Sequence, residues 1–230
     1  MALDWTVGSG AGDLYRSLFE NNHAVMLLID PDTAEVVDGN PAACAFYRYT
    51  RSEMRALRIS DINTLSDSEV RHEMARAVSQ RRQYFNFRHR LATGEIRSVE
   101  VYSGPIVVQG RQLLYSIVHD VTDRMRAEEA LSESEARYRA MFDQVPTCIA
   151  VYAAIDGGGD FLIIDFNSAA QRAEKIAGTE VIGRRLSEVF PGSEAMGFVD
   201  LLRAVSATGR PQSLGPRWYE DDRIQGWREN

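Results

Sequence analysis

An internal repeat constrains this chain more than any other feature. Asn40-Pro41-Ala42-Ala43 recurs as Asn167-Ser168-Ala169-Ala170, 127 residues on. Ser60-Asp61-Ile62 recurs as Ser187-Glu188-Val189, and Arg76-Ala77-Val78-Ser79 recurs unchanged at Arg203-Ala204-Val205-Ser206, in the same register. Upstream, Tyr15-Arg16-x-x-Phe19 matches Tyr138-Arg139-x-x-Phe142 at an offset of 123, so the second copy gains four residues in between. Asp156-Gly157-Gly158-Gly159-Asp160, standing where the first copy has Pro31-Asp32-Thr33, is the expected place for them, because a solvated turn absorbs insertions. In 230 residues, two copies spaced this far apart describe tandem domains of about 100–150 residues.

The first copy reads strand, strand, short helices, then three strands. Ala24–Ile29 is a buried strand, Pro31-Asp32 a turn, and Ala34–Asp38 the returning strand. Asn40 suits an N-cap and Pro41 the first helical position, so Ala42–Tyr47 begins a short helix. Ser52 opens another helical turn, and Ser66 to Arg81 is a longer helix with Val70, Met74, Ala77 and Val78 on one face. Tyr84–Leu91, Ile96–Val108 and Leu113–Val121 follow as strands, divided by turns at Thr93-Gly94-Glu95 and Gln109-Gly110. Phe85, Phe87, His89 and Leu91 alternate with Asn86, Arg88 and Arg90, the pattern of a half-buried antiparallel strand.

Composition removes several function classes. The net charge of −7 excludes a general nucleic-acid binder, which would be basic. No segment is apolar over the roughly 18 residues a membrane span needs, and Met1–Trp5 lacks a signal-peptide pattern, so a cytoplasmic location is expected. Cys44 and Cys148 sit in apolar stretches outside any C-x-x-C pair and read as two buried free thiols.

These elements, with Gly39-Asn40-Pro41-Ala42 at the helical entry, Thr93-Gly94-Glu95 between strands and Asp120-Val121-Thr122-Asp123-Arg124 at the end, resemble the PAS family. Ser134-Glu135-x-Arg137-Tyr138-Arg139 and Val181-Ile182-Gly183-Arg184 resemble it again in the second copy. The resemblance implies an α+β fold: two PAS-like domains, each a five-stranded antiparallel sheet of order 2-1-5-4-3 with short helices on one face. The expected divisions are an N-terminal extension over 1–12, a first domain over 13–123, a helical linker over 124–145 and a second domain over 146–230. By the repeat, the counterpart of Leu113–Val121 falls beyond Asn230, and Gln225–Asn230 reads as the opening of a fourth strand. The second domain is therefore expected to be truncated, lacking its last strands, with open sheet edges.

The resemblance also implies a cavity that holds a small molecule, a cofactor or nothing. Asn40, Phe46, His72, Phe87, His89 and Asn167 are the candidate ligand-facing residues, although helix capping accounts for both asparagines and core packing for His89. His72 lies near where haem-binding relatives place an axial histidine, and flavin is the other cofactor the family offers. The light-sensing subgroup's cysteine motif is absent, and Cys44 has no adjacent cation to activate it. Trp218 and Trp227 could stack on a flavin, with core packing as the plainer role. His72-Glu73 lacks the sequence that follows a kinase phospho-acceptor, and Gly158-Gly159-Asp160-Phe161 lacks the glutamate of a diguanylate cyclase. No catalytic motif or metal spacing is found in the sequence.

Thr122 to Gln144 contains neither Gly nor Pro. Ala127, Leu131, Ser134, Tyr138, Met141 and Val145 are spaced alternately by four and three, a heptad seam for parallel self-association. An amphipathic helix lying on its own domain is the competing reading. Asp120, Thr122, Leu131 and Tyr138 are the expected signalling residues. The combined expectation is a sensory input module, homodimeric through the linker, feeding an output domain such as a histidine kinase or diguanylate cyclase. A ligandless dimerisation scaffold and a non-catalytic piece of an enzyme completed elsewhere are the alternatives.

Overall fold

The computed structural model describes residues 17–79, 83–108 and 110–229. The expected extension over 1–12, Tyr15-Arg16, the helix end at Arg81 and Gln109 lie outside the described residues. The chain divides into two compact units between Ala130 and Leu131.

In the first unit, β1 (Val25–Ile29), β2 (Val36–Gly39), β3 (Tyr84–Arg90), β4 (Ile96–Val108) and β5 (Arg111–Asp120) form one antiparallel sheet of order β2-β1-β5-β4-β3. β5 is central: Leu114–Val118 pair with β1 on one side, and the whole strand pairs with β4 on the other. Alternation divides its side chains, Leu114 and Val118 entering the core under the helices and Leu113, Tyr115 and Ile117 the cluster on the opposite face. β2 starts at Val36 rather than at Ala34. Ala34 takes a left-handed backbone (φ 62°) and its carbonyl accepts from Ile59 N at 2.9 Å, which removes it from the ladder.

The helices covering the sheet are α1 (Pro41–Tyr47), α2 (Arg51–Met54), α3 (Ile59–Ile62) and α4 (Asp67–Val78). Reciprocal caps, Thr50 with Glu53 and Ser66 with Glu69, start α2 and α4. On α4 the four-and-three spacing buries Val70, Met74 and Ala77 against Phe85, Val99 and Val101.

α5 (Thr122–Gln144) is the linker helix. Its residues 123–141 are exposed, while Phe142 near its end is buried. Leu131, Tyr138 and Met141 are 61%, 50% and 65% exposed, which leaves the heptad seam uncovered.

In the second unit, β6 (Ala150–Ile155) and β7 (Asp160–Phe166) form one hairpin, β8 (Arg217–Glu220) and β9 (Gln225–Arg228) another. Between them run α6 (Ser168–Glu174), α7 (Gly178–Val181), α8 (Leu186–Val189) and α9 (Phe198–Thr208). The repeat holds down to single dihedral angles: Arg48 and Lys175 both end their helices with left-handed backbones, φ 64° and 50°. The inserted residues lie in the β6–β7 turn, where Asp156, Gly157 and Gly158 have φ of 52°, 64° and 89°, a run that favours glycine. The two hairpins match β1–β2 and β3–β4. Among the described residues no strand joins them, so the place β5 fills in the first sheet has no counterpart.

Two expectations fail on burial. Cys44 is only half-buried and Cys148 is exposed, because Cys148 lies on the open approach to β6. Trp218 and Trp227 are not core residues. They face each other across the β8–β9 pair, ring centroids 5.8 Å apart, while alternation sends Tyr219 to the core instead.

Candidate functional site

The first unit encloses a cavity of about 50 Å³ between sheet and helices. Phe85, Phe87 and His89 of β3, Met74 and Ala77 of α4, and Leu114 of β5 supply much of its wall. Its polar groups come in two sets. Ser103 of β4 and Ser116 of β5, adjacent partners in the ladder, hydrogen-bond to each other at 2.9 Å. Across from them, His89 Nδ1 and Tyr47 Oη are 2.8 Å apart, with Asn63 Nδ2 3.5 Å from the other ring nitrogen. Burial without an acidic partner pushes the His89 pKa down to about 3, so the imidazole is neutral. Glu73 reaches the same cavity while pairing with Arg76 at 3.2 Å.

The other expected ligand residues stand elsewhere. His72 is exposed on the solvent side of α4, since the turn that buries Val70 and Met74 directs it outward, and it does not line the cavity. Phe46 packs at the edge of the core and is likewise absent from the cavity wall. Asn40 has its hydrogen-bonding capacity engaged: Nδ2 donates to the carbonyls of Phe19, Asn22 and Ala24, and Oδ1 accepts from Met26 N and Ala43 N. Asn167 repeats the arrangement, donating to Phe142 O and Thr147 O and accepting from Ile149 N and Ala170 N. Both hold the preceding segment against a strand and a helix start, leaving no donor for a ligand.

β5 passes from the cavity wall directly into the linker. Beyond Ser116 and Val118, Asp120 Oδ1 accepts from Thr122 N at 2.9 Å and Asp120 Oδ2 from Arg97 at 3.2 Å. Thr122 is buried, and its hydroxyl accepts from Ser98 N at 2.9 Å. Arg124, one turn into α5, donates to Glu100 of β4. The base of the helix is thus fixed to β4 and β5 together.

Residues 22–123 match a family described as "PAS domain", and residues 142–225 one described as "PAS fold". The chain belongs to the PAS family. Parts of the chain are similar to two named signalling enzymes. Diguanylate cyclase DgcM of Escherichia coli (strain K12) is 39% identical over 130 residues, 55% of this chain and 31% of that protein. Sporulation kinase E of Bacillus subtilis (strain 168) is 22% identical over 188 residues, 78% of this chain and 23% of that protein. The chain therefore spans less than a third of either relative. Among solved structures, the PAS domain of an HTR-like protein from Haloarcula marismortui aligns with a TM-score of 0.43 and 22% identity, covering 48% of this chain and 91% of that one.

Asn63, Ser103 and Ser116 complete the first PAS cavity, with Tyr47 bonded to His89 behind its wall, but all four escape motif reading. The available signal was strand parity: Ser103 follows Val99 and Val101, and Ser116 lies between Leu114 and Val118, all inward positions. Porphyrin and isoalloxazine rings have no room in this cavity. Its 50 Å³ accommodates roughly three or four water-sized groups, far below the roughly 300 Å³ where cofactor pockets begin. The second PAS domain instead has a cleft of about 370 Å³ bordered by Tyr152, Phe190, Phe198 and Tyr219. Gly158-Gly159-Asp160-Phe161 runs from the β6–β7 turn into the start of β7, where Asp160 accepts from Ser187 Oγ at 2.6 Å and from the Phe161 amide at 2.7 Å. Among the described residues no helix is long and apolar enough to cross a membrane, and no cluster of three or more His, Cys, Asp or Glu could hold a metal.

Proposed function

We propose that the chain is a sensory input and relay module, in which the first PAS cavity takes a small uncharged molecule and β5 transmits its arrival to the linker helix. The observation that carries this is one strand doing both jobs: Ser116 and Val118 line the cavity, and Asp120 and Thr122 fix the start of α5. Neutral His89, the serine pair and an apolar wall favour an uncharged ligand, and Glu73 disfavours an anion. Ligand entry spreads β5 against β4 or α4, and the helix base follows. In this reading α5 pairs with a second copy through Leu131 and Tyr138 and drives a histidine kinase or diguanylate cyclase output domain on the cytoplasmic side.

Titrating short alcohols, ketones and carboxylates into ¹⁵N-labelled protein tests it. Uncharged members should shift resonances of Ser103 and Ser116 and, in step with them, of 120–125, and Ala77→Leu, which fills the cavity, should abolish both sets. Cavity shifts that leave 120–125 still would remove the relay. No binding, with dimerisation intact, would favour a ligandless scaffold.

A further inference from the structure

Repeat positions that agree in backbone differ in the charges around one shared carboxylate. Asp38 is fully buried at the end of β2, and two arginines of its own domain grip it: Arg51 through Nε and Nη2 at 2.9 and 2.8 Å, and Arg55 likewise at 3.1 and 3.0 Å. Its counterpart Asp165 holds the same place on β7, its Oδ1 accepting the next amide (Phe166 N, 3.0 Å) as Asp38 Oδ1 accepts Gly39 N. α7 matches α2 residue for residue, yet the arginine positions are now Gly178 and Ile182. The helix after β7 no longer supplies an arginine to this carboxylate.

The linker helix does so instead. Arg139 Nη1 donates to Asp165 Oδ1 at 2.7 Å, and the Tyr138 hydroxyl lies 3.4 Å from Oδ2. Tyr138 also stacks on Phe142, centroids 5.5 Å apart, whose carbonyl accepts from Asn167. We propose that Asp165 is a latch, holding α5 in one rotational setting against the second PAS domain and releasing it when the helix turns.

The geometry makes the latch sensitive to rotation. Tyr138 and Arg139 are consecutive and so stand about 100° apart around the helix, and one carboxylate engages both. Turning α5 to bury Tyr138 in a partner's seam withdraws its hydroxyl and carries Arg139 off the carboxylate. Asp165 is then left buried with a single amide, an unfavourable state that the domain must relieve by shifting β7. Among the described residues, the arginines bonded to Asp38 belong to α2 and its C-cap. The direction of this coupling rests on the relay reading, but the contact itself does not.

Amide hydrogen exchange on the full chain tests the latch without ligand or dimer. Arg139→Gln should speed exchange at 138–144 about fivefold, with a smaller rise in β7, and Arg139→Lys should retain most of the protection. Asp165→Asn should match Arg139→Gln, and where it unfolds the second domain Arg139→Gln decides alone. Asp38→Asn should leave 138–144 unchanged. No change in Arg139→Gln, or an equal change in the neighbouring Arg137→Gln, overturns the latch. The relay can fail the alcohol titration with this result intact, and the latch can fail here with ligand relay intact.

Discussion

His89 shows how much a single side chain's surroundings decide. On sequence alone it is one inward position in an alternating strand. In the structure it is a neutral imidazole bonded to Tyr47, with its folded-state pKa near 3 against an ordinary 6.5. The unfolded chain therefore binds this proton first as pH falls. Stability from His89 is complete above about pH 6.5 and is lost progressively toward pH 3, by roughly 5 kcal/mol at most, at about 1.4 kcal/mol per unit of difference. Asp38 acts lower down. Burial opposes its charge, but Arg51 and Arg55 outweigh that and hold its pKa below 3.8, so its contribution persists above that value and fades beneath it. Urea midpoints for the first domain should fall between pH 6.5 and 4, and His89→Gln should flatten that slope. A slope unchanged in His89→Gln would place the titration elsewhere.

At the scale of elements, the linker helix is legible and decisive. A run of 23 residues without Gly or Pro is a helix in sequence and in structure. Its exposed Leu131 and Tyr138 lead to a direct expectation: replacing both with Glu lowers the dimer fraction in sedimentation without unfolding the first domain. A monomeric parent chain, or an unchanged mass, would sink it. The succession of elements and the Asn40 cap were equally readable from local patterns such as the Phe85–Leu91 alternation, whereas the spatial strand order came from the family resemblance. Cavity polarity was not readable. Tyr47 meets His89 across 42 residues and Ser103 meets Ser116 across 13, contacts set by pairing register rather than by any local run. His72 was misplaced for the same reason: one residue on a helix is 100°, enough to move a ligand candidate from wall to solvent.

For the molecule as a whole, the two domains share a pattern but not a closure. The first sheet pairs both sides of β5, whereas the second unit's two hairpins are joined by no strand among the described residues. Unpaired strand edges exchange readily and recruit other strands. Hydrogen exchange should protect β1 and β5 strongly and β6 much less. Equal protection in a monomer would show that the second PAS domain stabilises β6 by other means. Asn40 and Asn167 meanwhile fasten each domain at the same point, each amide bridging chain segments 14 to 25 residues away. In this they do a disulfide's task by different physics. A covalent bridge acts largely by restricting the unfolded chain, whereas these amides restrict nothing until the fold exists. No reductant can open such a clasp, and refolding never waits for an oxidant to close it.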